Sequence, residues 1–173
     1  MGAHGYVRAT DDLDFISRQP LATIRERLRA AGVETRLLRG GILEGGFRCL
    51  KGEIDGIPFD VLPPLVPIAW DQALAVSIGG GTLKVVDLDA LLQLKFRTDG
   101  PQDLLDAVRL VLRHPEAEAR AKELATAHGS RDRFDAWLRD PRILSQVRED
   151  AARETRRTRK PTRAARPGRR QRR

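Results

Sequence analysis

Between Leu13 and Leu62 the apolar residues come in short alternating runs, and from Asp87 onward they recur at three- and four-residue spacing. The change of period from two to 3.6 predicts strands first, with one interposed helix, and helices afterwards. A strand is expected at Leu13–Ser17, after a polar turn at Thr10-Asp11. The stretch Pro20–Ala31 predicts a helix, with Pro in its first turn, Leu21, Ile24 and Leu28 on one face, and Gly32 as its stop. Strands are expected at Val33–Leu38, Phe47–Glu53 and Ile57–Leu62, with turns at Gly40-Gly41 and Gly45-Gly46. The last two strands flank Asp55-Gly56, a favoured hairpin dipeptide. Ala69–Ala75 is expected as a short helix and Thr82–Val86 as a short strand. Asp87 can cap a helix through Phe96 that buries Leu88, Leu91, Leu92 and Leu94. Pro101–Arg113 predicts another helix, packing through Leu104, Leu105, Val108 and Leu112, and two or three helices fill 115–155. The fold class is α+β, a mixed sheet flanked by helices.

Alternation also sorts the acidic residues. In Asp12-Leu13-Asp14-Phe15 a strand sends both carboxylates to one face and the apolar pair toward the core. Ile57-Pro58-Phe59-Asp60-Val61 repeats the pattern, with Ile57, Phe59 and Val61 inward and Asp60 opposite them. If the two strands are neighbours, three carboxylates converge, a set suited to a hard divalent cation with oxygen ligands. A solvated strand face beside a turn shows the same pattern.

Charge changes the picture only when it is located. The net charge is +8, yet residues 153–173 hold eleven Arg or Lys against one acid, Glu154, a local net of +10. The remainder, with 21 basic and 23 acidic residues, is near neutral at −2. A body built to grip nucleic acid along its own surface usually shows a positive excess, and this one does not, so charge-driven contact with nucleic acid is expected of the tail. The tail's Arg, Pro, Thr and Ala composition cannot bury apolar surface, and disorder is expected there. It can contact nucleic acid nonspecifically or simply solubilise the chain. The single cysteine, Cys49, excludes a disulfide framework and fits a buried strand position. No apolar run approaches the roughly 20 residues of a membrane span, and no secretory signal opens the chain. A cytoplasmic protein without membrane contact is expected. Trp70 and Trp137 sit among leucines and read as packing residues; His114 and His128 read as helix boundaries. Gly79-Gly80-Gly81 lacks the Lys-Ser or Lys-Thr of a phosphate loop and reads as a flexible turn.

The run His4-Gly5-Tyr6-Val7-Arg8-Ala9-Thr10-Asp11-Asp12-Leu13-Asp14 resembles the H-G-x-x-R-x-T-x-D-[IL]-D of the bacterial nucleotidyltransferase superfamily, including its minimal and abortive-infection toxin-type members. Asp60 falls where those proteins carry a third carboxylate. Val86–Lys95 is similar to their downstream helix ending in lysine, and Pro101-Gln102-Asp103-Leu104-Leu105-Asp106 to their P-x-D-[IL]-x-D helix start. The resemblance spans about residues 3–112. It implies metal binding by Asp12, Asp14 and Asp60, with Asp60 also assisting as catalytic base, and Mg²⁺ as cofactor, two ions being expected. Lys95 would reach the nucleotide phosphates, or else serve its helix dipole. Arg8 would touch phosphate or pair with an acid. His4 would line the site or cap and pack its turn, and Asp103 and Asp106 would do structural work. The chain departs from the pattern twice. The family's first strand and its Gly-Gly or Gly-Ser turn have no counterpart after Met1-Gly2, so they are expected upstream or lost. Its G-R-P reads Asp99-Gly100-Pro101 here.

The implied function is transfer of a nucleoside monophosphate from a nucleoside triphosphate to a hydroxyl on a protein, an RNA or a small molecule, in a toxin–antitoxin or defence setting. The alternatives are a degenerate binding protein on the same fold and nucleic-acid binding through the tail. The expected organisation is a core at 1–113, a helical extension at 114–152 and the Arg-rich tail at 153–173.

Overall fold

The computed structural model describes residues 4, 12–39, 48–78, 81–98 and 100–159. In chain order the elements are β1 (Leu13–Ile16), α1 (Leu21–Ala30), β2 (Thr35–Arg39), β3 (Arg48–Ile54), β4 (Ile57–Leu62), β5 (Leu74–Ile78) and β6 (Gly81–Val85). Five helices follow: α2 (Leu88–Thr98), α3 (Pro101–Arg113), α4 (Glu118–Ala127), α5 (Arg131–Leu138) and α6 (Pro141–Arg159). A four-stranded sheet has the order β1-β4-β3-β2, and β5 and β6 form a separate antiparallel pair. β1 runs parallel to β4 while β2–β3 and β3–β4 are antiparallel, so the α+β class and the mixed sheet both stand.

Local chemistry explains the element ends. Asp55 and Gly56 take φ of 52° and 79°, the left-handed pair that a two-residue hairpin turn requires. The turn fixes the register that sets Ile54 against Ile57, Gly52 against Phe59 and Lys51 against Asp60. α1 stops at Gly32, whose φ is 78°. The Val33 N–H reaches back to the Leu28 carbonyl (2.9 Å) and the Gly32 N–H to that of Arg29 (3.0 Å). These two bonds make a Schellman cap, and Leu28 and Val33 both pack on the sheet's core. α2 begins where Asp87 accepts a hydrogen bond from the Ala90 N–H at 2.8 Å, the expected cap.

Two cores result. Leu50, Phe59 and Val61 are buried on one sheet face beneath Leu21, Ile24, Leu28 and Val33. The larger core lies among the helices, where Leu92, Phe96, Leu104, Val108, Leu110, Val111, Ala125 and Phe134 are almost wholly buried and Phe96 meets Phe134 edge to face at 5.3 Å. Full burial stabilises each such Leu or Phe by roughly 1.5–3 kcal/mol, so among the described residues the helical layer contributes most of the hydrophobic stabilisation. This core joins α2 and α3 to α4 and α5.

Several expectations are corrected. Leu13 and Phe15 do not enter the core: they are 45% and 36% exposed, because β1 is an edge strand and α1 packs over β2 and β3 instead. Ile57, beside the hairpin turn, is 50% exposed. The short helix expected at Ala69–Ala75 is a turn at 70–72 followed by β5, which starts at Leu74. In α3 the fully buried positions include Ala107, Leu110 and Val111, while Leu105 and Leu112 are half-buried. α6 continues to Arg159, so 153–159 is helical, and 160–173 lies outside the described residues. Among the described residues no helix is long and apolar enough to cross a membrane.

Among the described glycines Gly52 is the one with least room for a side chain. A Cβ there would stand 2.4 Å from Phe59 Cζ and 3.0 Å from Thr35 Cγ2, because the Phe59 ring lies over the glycine. Gly52→Ala is therefore expected to push Phe59 out of place and lower stability by about 1–3 kcal/mol. Chemical denaturation measures this; an unchanged midpoint would contradict the packing described.

Candidate active site

The sheet's opposite face carries a charged row. Asp14 on β1 stands in register with Asp60 on β4, Asp60 with Lys51 on β3, and Lys51 with Arg36 on β2. Neighbouring strands lie about 4.8 Å apart, so two carboxylates and then two cations follow each other across the sheet. Asp12 is one residue ahead of β1. The carboxyl pKa of Asp14 is raised above the ordinary aspartate value, first by desolvation and then by the charges of Asp12 and Asp60; Lys95 and Lys51 pull it back. All three expected carboxylates and the expected lysine thus act on one point.

Lys51 was not marked by any motif. Its ammonium donates to Asp60 Oδ2 at 2.7 Å, and this hydrogen bond is the main reason its pKa is raised. Counting outward from the Asp55-Gly56 turn pairs 51 with 60, so the hairpin register was the signal that could have found it. The Lys51 side chain is 51% exposed and that of Asp60 20%, and a pair so open to solvent contributes about 0–1 kcal/mol.

Lys95 is held differently. It projects from α2 to Asp103 Oδ1 at 2.6 Å and to Asp106 Oδ2 at 3.2 Å. The second contact is an ion pair by distance, and the aligned hydrogen bond is the one to Asp103. Asp106 is fully buried, and Gln102 Nε2 donates to its Oδ1 at 3.0 Å; Thr98 Oγ1 donates to Asp103 Oδ2 at 2.7 Å. Removing the ammonium would break an ion pair to a buried carboxylate, which is far costlier than breaking a surface pair. Asp103 and Asp106 therefore do structural work, clamping the end of α2 to the start of α3.

Other expected residues separate. His4 Nε2 donates to the Val86 carbonyl, and His114 Nε2 donates to the His4 carbonyl, each at 2.8 Å. His4 is thereby tied to Val86, just before α2, and to His114, just after α3. Trp137 packs on the helical core, and Cys49 is buried. Trp70 is half-buried under the Arg18 guanidinium, 5.0 Å from the ring centroid. Arg8, Gly79 and Gly80 lie outside the described residues.

Protein-family models, curated proteins and solved structures contain no match to this chain.

Oxygen-only donors at Asp12, Asp14 and Asp60 suit Mg²⁺ by chemistry. In the arrangement described Asp60 bonds Lys51, and among the described residues no three His, Cys, Asp or Glu side chains are gathered as metal ligands.

The raised pKa of Asp14 has a consequence for stability. Near neutral pH its carboxylate is ionised in both states, and the folded protein bears the desolvation and repulsion. As pH falls through the raised value the folded state takes up the proton first, and wild type gains stability relative to an uncharged variant. Asp14→Asn should therefore be more stable than wild type at pH 7, by less than about 1 kcal/mol because the group keeps solvent contact. That advantage should shrink as pH approaches the ordinary aspartate value. Thermal melts from pH 4 to 7 check it, and a destabilised variant at pH 7 would contradict it.

Proposed function

We propose that this chain is a metal-dependent nucleotidyltransferase that moves a nucleoside monophosphate from a nucleoside triphosphate to a hydroxyl acceptor. The observation that supports this most is the in-register placement of Asp14 and Asp60 on adjacent parallel strands, with Asp12 near enough to raise the pKa of Asp14. Asp12, Asp14 and Asp60 would hold Mg²⁺, two ions in this reading. When bound, the metal would neutralise triphosphate oxygens and lower the pKa of the acceptor hydroxyl. Asp60 takes the hydroxyl proton; the acceptor oxygen bonds to the α-phosphorus as the bond to the departing pyrophosphate breaks. Lys95, whose charge acts on Asp14, and Arg8, by its motif position, are the candidates for phosphate contact.

The acceptor class stays open among protein, RNA and small molecule, and a cytoplasmic toxin–antitoxin or defence role rests on the motif resemblance alone. The basic segment 153–173 is proposed to add nonspecific, salt-sensitive attraction to nucleic acid. A second reading, a binding protein that keeps the fold without turnover, draws support from the Lys51–Asp60 bond, which satisfies a carboxylate the reaction needs.

Mg²⁺ with a nucleoside triphosphate at about ten times its Kd should stabilise the folded chain by roughly 1.4 kcal/mol, a Tm rise of a few degrees. Asp12→Ala with Asp14→Ala should abolish that rise while leaving the fold intact, since exposed polar positions cost little. Equal shifts in both proteins would refute the metal assignment. Mg²⁺-dependent transfer of α-labelled nucleotide by wild type separates the enzyme from the binding protein.

A further inference from the structure

We propose that the Lys51 ammonium is a resident counter-ion of the acidic site: it holds Asp60 in the metal-free protein and yields that carboxylate to an incoming divalent cation. The proposal rests on the reading of Asp12, Asp14 and Asp60 as a metal site and adds to it a residue outside every motif recognised in the sequence.

The two lysines that act on Asp14 differ in a way that assigns them different roles. Lys95 is only 17% exposed and is held by Asp103 and by the fully buried Asp106, so moving it breaks a buried ion pair. Lys51 is 51% exposed, and the carboxylate it bonds among the described residues belongs to the acidic row itself. Its four-carbon stem can swing the ammonium into water at small cost. Asp60 is the carboxylate best placed to be shared, since its strand lies between that of Asp14 and that of Lys51. A monovalent ammonium offsets part of the repulsion among three carboxylates; a divalent ion brings twice the charge to the same oxygens. In the arrangement described Asp60 is held by Lys51, and no ready ligand set is gathered among the described residues. Lys51 is thus a positioning residue, acting on the metal through Asp60.

If Lys51 ties up Asp60 for most of the time, the apparent metal affinity falls by the fraction of molecules in which Asp60 is free. Replacing Lys51 should restore that fraction. The probe is Mn²⁺ alone, titrated into the full chain by electron paramagnetic resonance at moderate salt, with wild type, Lys51→Met, Lys84→Met and Asp60→Asn compared. Lys84→Met removes the same charge from β6, where the ammonium bonds the Trp70 carbonyl at 3.1 Å. Lys51→Met is expected to tighten Mn²⁺ binding about two- to fivefold, the factor an exposed ion pair supplies, while Lys84→Met leaves it unchanged and Asp60→Asn weakens it. Lys51→Gln should repeat the gain, and circular dichroism confirms that each variant is folded. Unchanged or weaker binding in Lys51→Met, with Asp60→Asn still weakening it, overturns the counter-ion role and leaves the metal site standing. Equal tightening in Lys51→Met and Lys84→Met overturns it as well, reducing the effect to general charge. No Mn²⁺ binding by any of the four proteins overturns both this inference and the metal reading beneath it.

Discussion

The parallel pairing of β1 with β4 is the contact on which the candidate site depends. Without it, Asp12 and Asp14 would be two acids near a chain turn and Asp60 an acid on a hairpin. With Asp14 in register against Asp60, the charges repel at close range, and the sheet must hold them there against that repulsion. It does so with apolar material on its other face. Phe15 meets Phe59 edge to face at 6.2 Å, and Leu50, Phe59 and Val61 are buried under α1. A slip of one residue in either strand would exchange the two faces, moving carboxylates into the core and phenylalanines into the charged row. Burial of Phe59 and Val61 and placement of Asp60 are therefore one constraint.

In that arrangement desolvation first, and then the charges of Asp12 and Asp60, raise the Asp14 pKa. Grouped like charges are tolerated where something else compensates, and here the compensation has two parts. Lys95 is built into the α2–α3 clamp with Asp103 and Asp106, so its positive charge is a fixed part of the helical layer. Lys51 is a looser partner on the sheet itself. Most buried apolar residues among those described lie in the helical core, and the acidic row stands on the thinner sheet layer.

Much of this was legible in the sequence, for reasons that differ by element. The strand Ile57–Leu62, the Asp55-Gly56 turn, the Gly32 stop and the Asp87 cap were readable because each depends on neighbours in the chain. The shared face of Asp14 and Asp60 followed from alternation once the strands were taken as neighbours. What local pattern could not supply was strand order. It does not show that β1 lies at an edge, so Leu13 and Phe15 were expected inside and stand half in solvent. Nor does it show which leucines of α3 face other helices, since that depends on where α4 and α5 dock. The stretch 69–75 carries no local sign that Leu74 begins a strand, because its partner β6 starts only at Gly81. Lys51 was overlooked although the hairpin register contained it, because a lone lysine on a strand has no pattern until its cross-strand partner is considered.

The central claim is that Asp12, Asp14 and Asp60 serve one cation on the polar face of the β1–β4 pair. The most direct measurement is anomalous diffraction from a crystal grown with Mn²⁺ and a non-hydrolysable nucleoside triphosphate. The account predicts a manganese peak within bonding distance of carboxylate oxygens from both Asp14 and Asp60, with the triphosphate beside it and the Lys51 ammonium moved off Asp60. Asp14 and Asp60 on opposite faces of the sheet, or manganese bound only elsewhere, would contradict it.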